Sequence, residues 1–241
     1  MQCIHTLQQP TTTVLFPNFA PMARNISSKE AMLTKIRKAL LSPTKAPFSL
    51  NEPMDSAYPV SEEPLEIQFA QELLKVSGEF IFCESEKECV DSLQELITQK
   101  GWQKISCADK SLITLFNRNA FSGFETGKDI LQSEVSLTPC EALVARTGSV
   151  LFSSRLELGR TLPVFPPYNI IIASTNQLVL DISDAFALVR KKYNGSMPSM
   201  VNLATGPSRT ADIEKTLVLG AHGPRAVYVF LIDNWVTETG E

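Results

Sequence analysis

From Pro64 onward helical and strand-like patterns alternate, and that alternation restricts the possible folds more than any other feature of the chain. Leu65, Phe69, Leu73 and Val76 recur at helical spacing and stop near Gly78. Residues 79–83 read as a strand. Ser85 and Glu88 have capping-box spacing, which opens a helix through Val90, Leu93 and Ile97 that ends at Gly101. Residues 105–108 read as a short strand and 111–116 as a short helix. Apolar density rises after Ser133. There, 142–145 read as a short helix or turn, 149–153 as a strand, 169–174 as a β-branched strand and 182–191 as a helix. Residues 201–204 and 227–232 complete the strands. Parallel strands need long crossovers, usually helical, so this order implies an α/β fold on a mainly parallel sheet.

The first part of the chain has a different character. Residues 1–25 carry three prolines, a Thr run and no apolar period. Ser27 and Glu30 then open a helical pattern with Leu33, Ile36 and Leu40 on one face, ending before Pro43. Pro43, Pro47, Pro53 and Pro59 punctuate an extended linker. The predicted organisation is a disordered extension over 1–25, a helix and Pro-rich arm over 26–63, an α/β domain over 64–233 and a tail over 234–241. Met22 offers an alternative start, with residues 1–21 then an upstream extension of the reading frame.

At 241 residues, the chain is long enough for one sizeable core. A net charge of -4 and a pI near 5.4 give no electrostatic reason to expect nucleic-acid binding. No apolar run approaches the roughly 20 residues that span a bilayer, and residues 1–21 lack a basic and apolar leader pattern, so a cytoplasmic location is expected. Cys3, Cys83, Cys89, Cys107 and Cys140 form no C-x-x-C pair, and the histidines are His5 and His222. This spacing argues against a zinc or iron-sulfur site held by this chain alone and favours reduced, mostly buried thiols. Cys140 has no basic neighbour in sequence to lower its pKa.

Three clusters carry candidate chemistry. Gly206, Pro207, Ser208, Arg209 and Thr210 follow the strand at 201–204 and precede an amphipathic stretch over 211–219. If that stretch is a helix, its amino terminus can hold a phosphate or carboxylate. Arg209 then supplies a bidentate grip, and Asp212 or Glu214 an acid or base. The bland alternative is a capped helix in which Ser208 or Thr210 satisfies backbone donors. The second cluster, His222, Gly223, Pro224 and Arg225, places an imidazole and a guanidinium on a constrained turn. In the third, Thr147, Gly148 and Ser149 offer a backbone nest for an anion, with Arg160 as the facing charge, or simply a turn between elements. There is no G-x-G-x-x-G, P-loop or G-x-S-x-G pattern.

Taken together, Thr147-Gly148-Ser149 through Ser154, Gly159-Arg160, the run from Thr205 to Glu214 and the run from Gly220 to Arg225 resemble the LutC (YkgG) family of lactate utilization proteins, the LUD domain. The resemblance is strongest over residues 141–233. It implies a three-layer α/β fold similar to the NagB, RpiA (ribose-phosphate isomerase) and CoA-transferase group, with an N-terminal helical arm. It also implies a part in oxidising lactate to pyruvate beside LutA-like and LutB-like partner subunits that hold the iron-sulfur clusters, this chain itself carrying no cofactor. Members of that family commonly carry an acidic residue where this chain has Arg146.

Two functional readings follow. In the first the chain is a subunit of a lactate-oxidising complex, with Thr147, Gly148, Ser149, Arg160, Gly206, Pro207, Ser208, Arg209, Thr210, Gly223 and Arg225 around one pocket for a carboxylate or phosphate, and His222 beside it. In the second it is a free-standing small-molecule enzyme of the isomerase, CoA-transferase or formyltetrahydrofolate cyclo-ligase type, using His222, Asp212 or Glu214 in proton transfer. Homo-oligomers are compatible with either.

Overall fold

The computed structural model describes residues 28–41, 62–126, 132–157, 160–210, 218–233 and 235. The chain divides into two units, Met1–Pro59 and Val60–Glu241. In the first, α1 (Ser28–Leu40) has Glu30 in its first turn and Arg37 and Lys38 in its last, complementing the helix dipole. It buries no residue, and Met32, Ile36 and Leu40 stand exposed. The extension over 1–25, the Ser27 cap and most of the Pro-rich arm lie outside the described residues.

The second unit is built on a parallel sheet in the order β1-β11-β6-β3-β2. Its strands are β1 (Glu79–Cys83), β2 (Ile105–Cys107), β3 (Val135–Thr138), β6 (Tyr168–Ser174) and β11 (Ala226–Ile232). A second sheet has the order β7-β4-β5-β8, with strands β4 (Ala142–Val144), β5 (Ser149–Ser153), β7 (Leu178–Val179) and β8 (Val201–Ala204). There β5 pairs antiparallel with both β4 and β8. The short strands β9 (Arg209–Thr210) and β10 (Val218–Leu219) form a separate antiparallel ribbon.

Period-2 burial explains the layers. On β11, Tyr228, Phe230 and Ile232 pack into one core cluster while Val227, Val229 and Leu231 pack into another, and Ile170 and Ile172 oppose Ile171 and Ala173 on β6 in the same way. Both strands are therefore nearly continuous apolar runs, as a sheet covered on two faces requires. The first cluster is closed by α3 (Glu86–Lys100) and α4 (Lys110–Arg118) through Val90, Leu93, Leu112 and Phe116. The second is closed by α2 (Leu65–Lys75) through Phe69 and Leu73, and by Leu143, Val150 and Phe152 of the second sheet. Beyond that sheet α5 (Ile182–Lys192) sets Ala185 and Val189 against Ala142, Val144 and Leu151.

Local chemistry fixes the helix ends. Ser85 accepts from the Glu88 amide at 3.2 Å, the Glu88 carboxylate accepts from the Glu84 amide at 2.7 Å, and Gly101 closes α3 in a left-handed conformation. Asp109, unremarked in the sequence pattern, accepts from the amides of Ser111 and Leu112 to start α4.

The α/β class and mainly parallel central sheet are as expected, with three local corrections. Residues 142–145 do not form a helix: Ala142–Val144 is a strand, and a 3-10 turn, Ala145–Thr147, follows it. All three residues pair with β5, and Leu143 and Val144 pair with β7 as well, so the segment satisfies its backbone in the sheet, which a single helical turn could not do. The turn at 206–208 does not lead straight into a helix, because Arg209–Thr210 pairs with Val218–Leu219, and the rest of the expected stretch, 211–217, lies outside the described residues. Trp235, assigned to the tail, is buried in the first core cluster.

Candidate functional site

The loop after β8 and the loop before β11 meet over a cavity of about 300 Å³. Its floor is Val150 and Phe152 of β5 and Asn169, Ile171 and Val227 of the parallel sheet; its rim is Pro163, Val164, the segment 205–209 and His222–Pro224. Two backbone bonds lock the roof. The Ser208 amide donates to Pro224 at 2.9 Å, and the Gly220 amide donates to Ser208 at 2.9 Å. A Cβ on Gly223 would stand 3.0 Å from the Ser208 Cβ, so the two loops touch at these residues.

The cavity follows the carboxyl end of β8, as the sequence indicates, but β8 belongs to the second sheet. On the parallel sheet it lies at the amino ends of β6 and β11, where Asn169 pairs with Val227. Open α/β sheets usually bind ligands at the opposite end. At that end a larger groove of about 520 Å³ runs over Ile67, Leu74, Phe80 and Phe82. It is apolar and contains none of the residues singled out above, whereas the smaller cavity combines apolar walls with converging polar groups, as ligand sites do.

The structure brings Gly206, Pro207, Ser208, Arg209, His222 and Gly223 to the cavity and leaves others outside its lining. Gly148 packs against α2: with φ at 60°, a Cβ there would lie 2.4 Å from the Leu73 amide nitrogen. Gly206 meets the end of the same helix, since its Cβ would lie 2.6 Å from the Val76 carbonyl oxygen. Arg209 joins them, donating from Nη2 to the Val76 carbonyl and, at 2.8 Å, to the Ser77 hydroxyl. Carbonyls at a helix end want such a cation. Thr147 and Ser149 share a hydrogen bond of 2.7 Å, and Ser149 bonds Thr205 at 2.7 Å, so a chain of hydroxyls links the two motif turns.

Arg160 donates to the Ser199 hydroxyl at 2.6 Å, away from the cavity. The Arg225 stem lies against Gly220, and its amide donates to Pro167 at 2.7 Å. Thr210 is held in the β9–β10 ribbon. Asp212 and Glu214 lie outside the described residues. The Arg146 guanidinium makes a two-point pair with Asp181, at 2.6 and 2.9 Å, and this contact holds the Asp181 carboxyl below the usual carboxylate range. Arg146 thus ties the turn after β4 to the start of α5.

Sequence reasoning missed Asn169 and Asn202. Asn169 is buried, its Oδ1 accepting from Ser136 at 3.1 Å and Thr138 at 2.9 Å, and it contributes a polar patch to an apolar floor. A lone Asn opening a β-branched strand was the available signal, because an amide inside a sheet core needs partners. A second polar centre escaped notice too. Buried Glu141 accepts from Ser153 at 2.5 Å, Tyr193 at 2.6 Å and Lys192 at 2.8 Å, and burial beside that carboxylate pushes the Tyr193 hydroxyl up. The thiols of Cys107 and Cys140 are likewise pushed up by burial, Cys107 to about 12. Among the described residues no three His, Cys, Asp or Glu side chains gather as a metal site, and no helix is long and apolar enough to cross a membrane.

Comparison with known proteins agrees with this frame. Lactate utilization protein C of Bacillus subtilis is 36% identical over 118 residues, covering 48% of this chain and 49% of its own. The protein of the same name from Anoxybacillus flavithermus is 28% identical over 159 residues, covering 61% and 71%. Uncharacterized protein YkgG of Escherichia coli is 32% identical over 114 residues, covering 46% and 49%. The aligned part thus spans about half the length of the Bacillus subtilis and Escherichia coli relatives. Among solved structures, a duf162 family protein from Deinococcus radiodurans shares the fold, with a TM-score of 0.52 at 16% identity over 72% of this chain and 99% of that one. The family model described as LUD domain matches residues 67–232, which include every element of the parallel sheet and both loops over the cavity, and the chain belongs to the LUD domain family.

Proposed function

We propose that the chain is a LutC-like subunit of a lactate utilization system and that the cavity under residues 205–209 and 222–224 binds a small carboxylate or phosphate. The observation that carries this reading is the meeting of two motif-bearing loops over one partly polar cavity. Ser208, Asn202 and His222 provide donors at its wall. Arg209 also lines the cavity, and its bonds to Val76 and Ser77 both leave from Nη2, so the rest of its planar fork supplies further donors for an anion on this reading. The relatives called lactate utilization protein C supply the substrate class, lactate.

On this reading lactate loses two electrons on becoming pyruvate, and these pass to iron-sulfur clusters in LutA-like and LutB-like partners. The chain contributes ligand binding and assembly within a lactate-oxidising complex and is not a self-sufficient oxidoreductase. Deleting the chain should abolish growth on lactate, and the tagged full-length protein should copurify with iron-sulfur partners. Normal lactate oxidation in the deletion strain would overturn the proposal.

A further inference from the structure

A second depression, of about 390 Å³, adjoins the cavity and is lined by Val164, Phe165, Gly220, Ala221, His222 and Gly223. Val164, His222 and Gly223 line both spaces, so the two adjoin across these residues as an inner and an outer compartment. The outer one is small-sided on one wall, where Gly220, Ala221 and Gly223 present little beyond backbone. Its other wall is Phe165, 57% exposed.

Phe165 is held in place. Its loop contains Pro163, Pro166 and Pro167, which fix the backbone φ. The amides of Val164 and Phe165 both donate to Thr161 at 3.0 Å, and Pro167 accepts from Arg225 at 2.7 Å. Asn169, on the floor of the inner compartment, reaches back to the Pro163 carbonyl at 3.4 Å. An exposed aromatic on a backbone held by these bonds, beside a partly polar cavity, suits a flat ring, because stacking then costs little ordering of the loop.

We infer that the two compartments together take a bipartite ligand of mononucleotide chemistry, a flat heteroaromatic ring stacked on Phe165 and an anionic tail passing between Val164 and His222 into the inner compartment. This extends the small-anion reading of the inner compartment and rests on it for the position of the tail. A lactate-sized molecule occupies the inner compartment alone.

The test measures thermal shifts of the full chain with AMP and FMN, with adenosine as ring alone, ribose 5-phosphate as tail alone, and lactate and pyruvate as inner-compartment probes. At least one mononucleotide should bind more tightly than either half, and Phe165→Ser should weaken it about tenfold, the loss of one ring stack, while responses to lactate and pyruvate stay unchanged. Phe165 is exposed, so the unliganded midpoint of this variant serves as its folding control. Mononucleotide shifts that persist in Phe165→Ser overturn the inference, as does no response to either mononucleotide, whatever lactate does. A Phe165-dependent AMP or FMN shift with no lactate or pyruvate response supports the bipartite ligand and defeats the lactate reading.

Discussion

Arg209 donates to the backbone carbonyl of Val76 and so clasps the last turn of α2 from the start of β9, 133 residues further along the chain. A residue that reads in sequence as an anion grip is therefore also a structural clamp. Arg209→Ala should lower stability by about 1–2 kcal/mol, the worth of an exposed charge-assisted hydrogen bond, measured as the urea midpoint at unchanged m. Arg209→Lys should recover part of that loss, because an ammonium can reach one acceptor but cannot reproduce the fork.

Gly148 separates a steric requirement from a purely conformational one. Gly148→Ala puts a methyl 2.4 Å from the Leu73 backbone at a φ of 60°, whereas Gly101→Ala meets nothing within 4 Å at a φ of 72°. The Gly101 change should cost about 1 kcal/mol, the left-handed penalty alone. The Gly148 change should cost well above about 2 kcal/mol, because α2 must move. Equal losses in chemical denaturation would show that α2 does not press on this turn.

The Glu141 centre predicts a large effect far from the cavity. The Glu141 side chain has no exposure, and its partners come from β5 and the end of α5. Glu141→Ala should destabilise by about 2–3 kcal/mol, since it leaves the Ser153 and Tyr193 hydroxyls without their acceptor while Lys192, one-third exposed, can turn to solvent. Tyr193→Phe, which removes one donor, should cost about 1–2 kcal/mol by the same denaturation measurement.

Acid should reveal the Arg146–Asp181 pair. The Asp181 carboxyl is held below its unfolded value by the guanidinium, so it binds its proton more readily in the unfolded chain. Its contribution to stability is present above the unfolded pKa and is lost as pH falls through the folded one. The Asp181 side chain is 35% exposed, so screening limits the contribution to about 1 kcal/mol. Asp181→Asn should remove that share of stability at neutral pH and leave little difference from the parent protein in strong acid. A loss that grows on acidification would refute this assignment.

Cys83, Cys89, Cys107 and Cys140 are buried. Iodoacetamide applied to the native protein at neutral pH should leave all four unmodified by mass spectrometry, and denaturant should expose them together. Labelling of Cys140 in the native state would mean that the core around the Glu141 centre opens.

The sequence made the strands and helices of the parallel sheet legible where burial on two faces leaves a plain pattern, as in β6 and β11. It failed where pairing rather than propensity decides. Ala142–Val144 is too short to carry a period, and Arg209–Thr210 is a strand only because Val218–Leu219 lies beside it. At the site, turn-forming residues marked both loops over the cavity, and Gly206, Ser208 and His222 came together there. The same vocabulary could not separate residues that face a ligand from those that hold α2, because Gly148 and Arg209 look alike in either role until the helix is placed. Phe165 carried no signal at all, since an exposed aromatic and a core aromatic are the same letter.

On the reading proposed above, the cavity over Asn169 and Val227 binds a small carboxylate. Isothermal titration of the full chain with lactate and with pyruvate tests it most directly, alongside Asn202→Phe, which fills the cavity from an exposed position on β8. Saturable one-to-one binding of at least one of the two acids is expected, lost in Asn202→Phe without loss of folding. Absence of binding by the parent protein, or binding unchanged in the filled cavity, would contradict it.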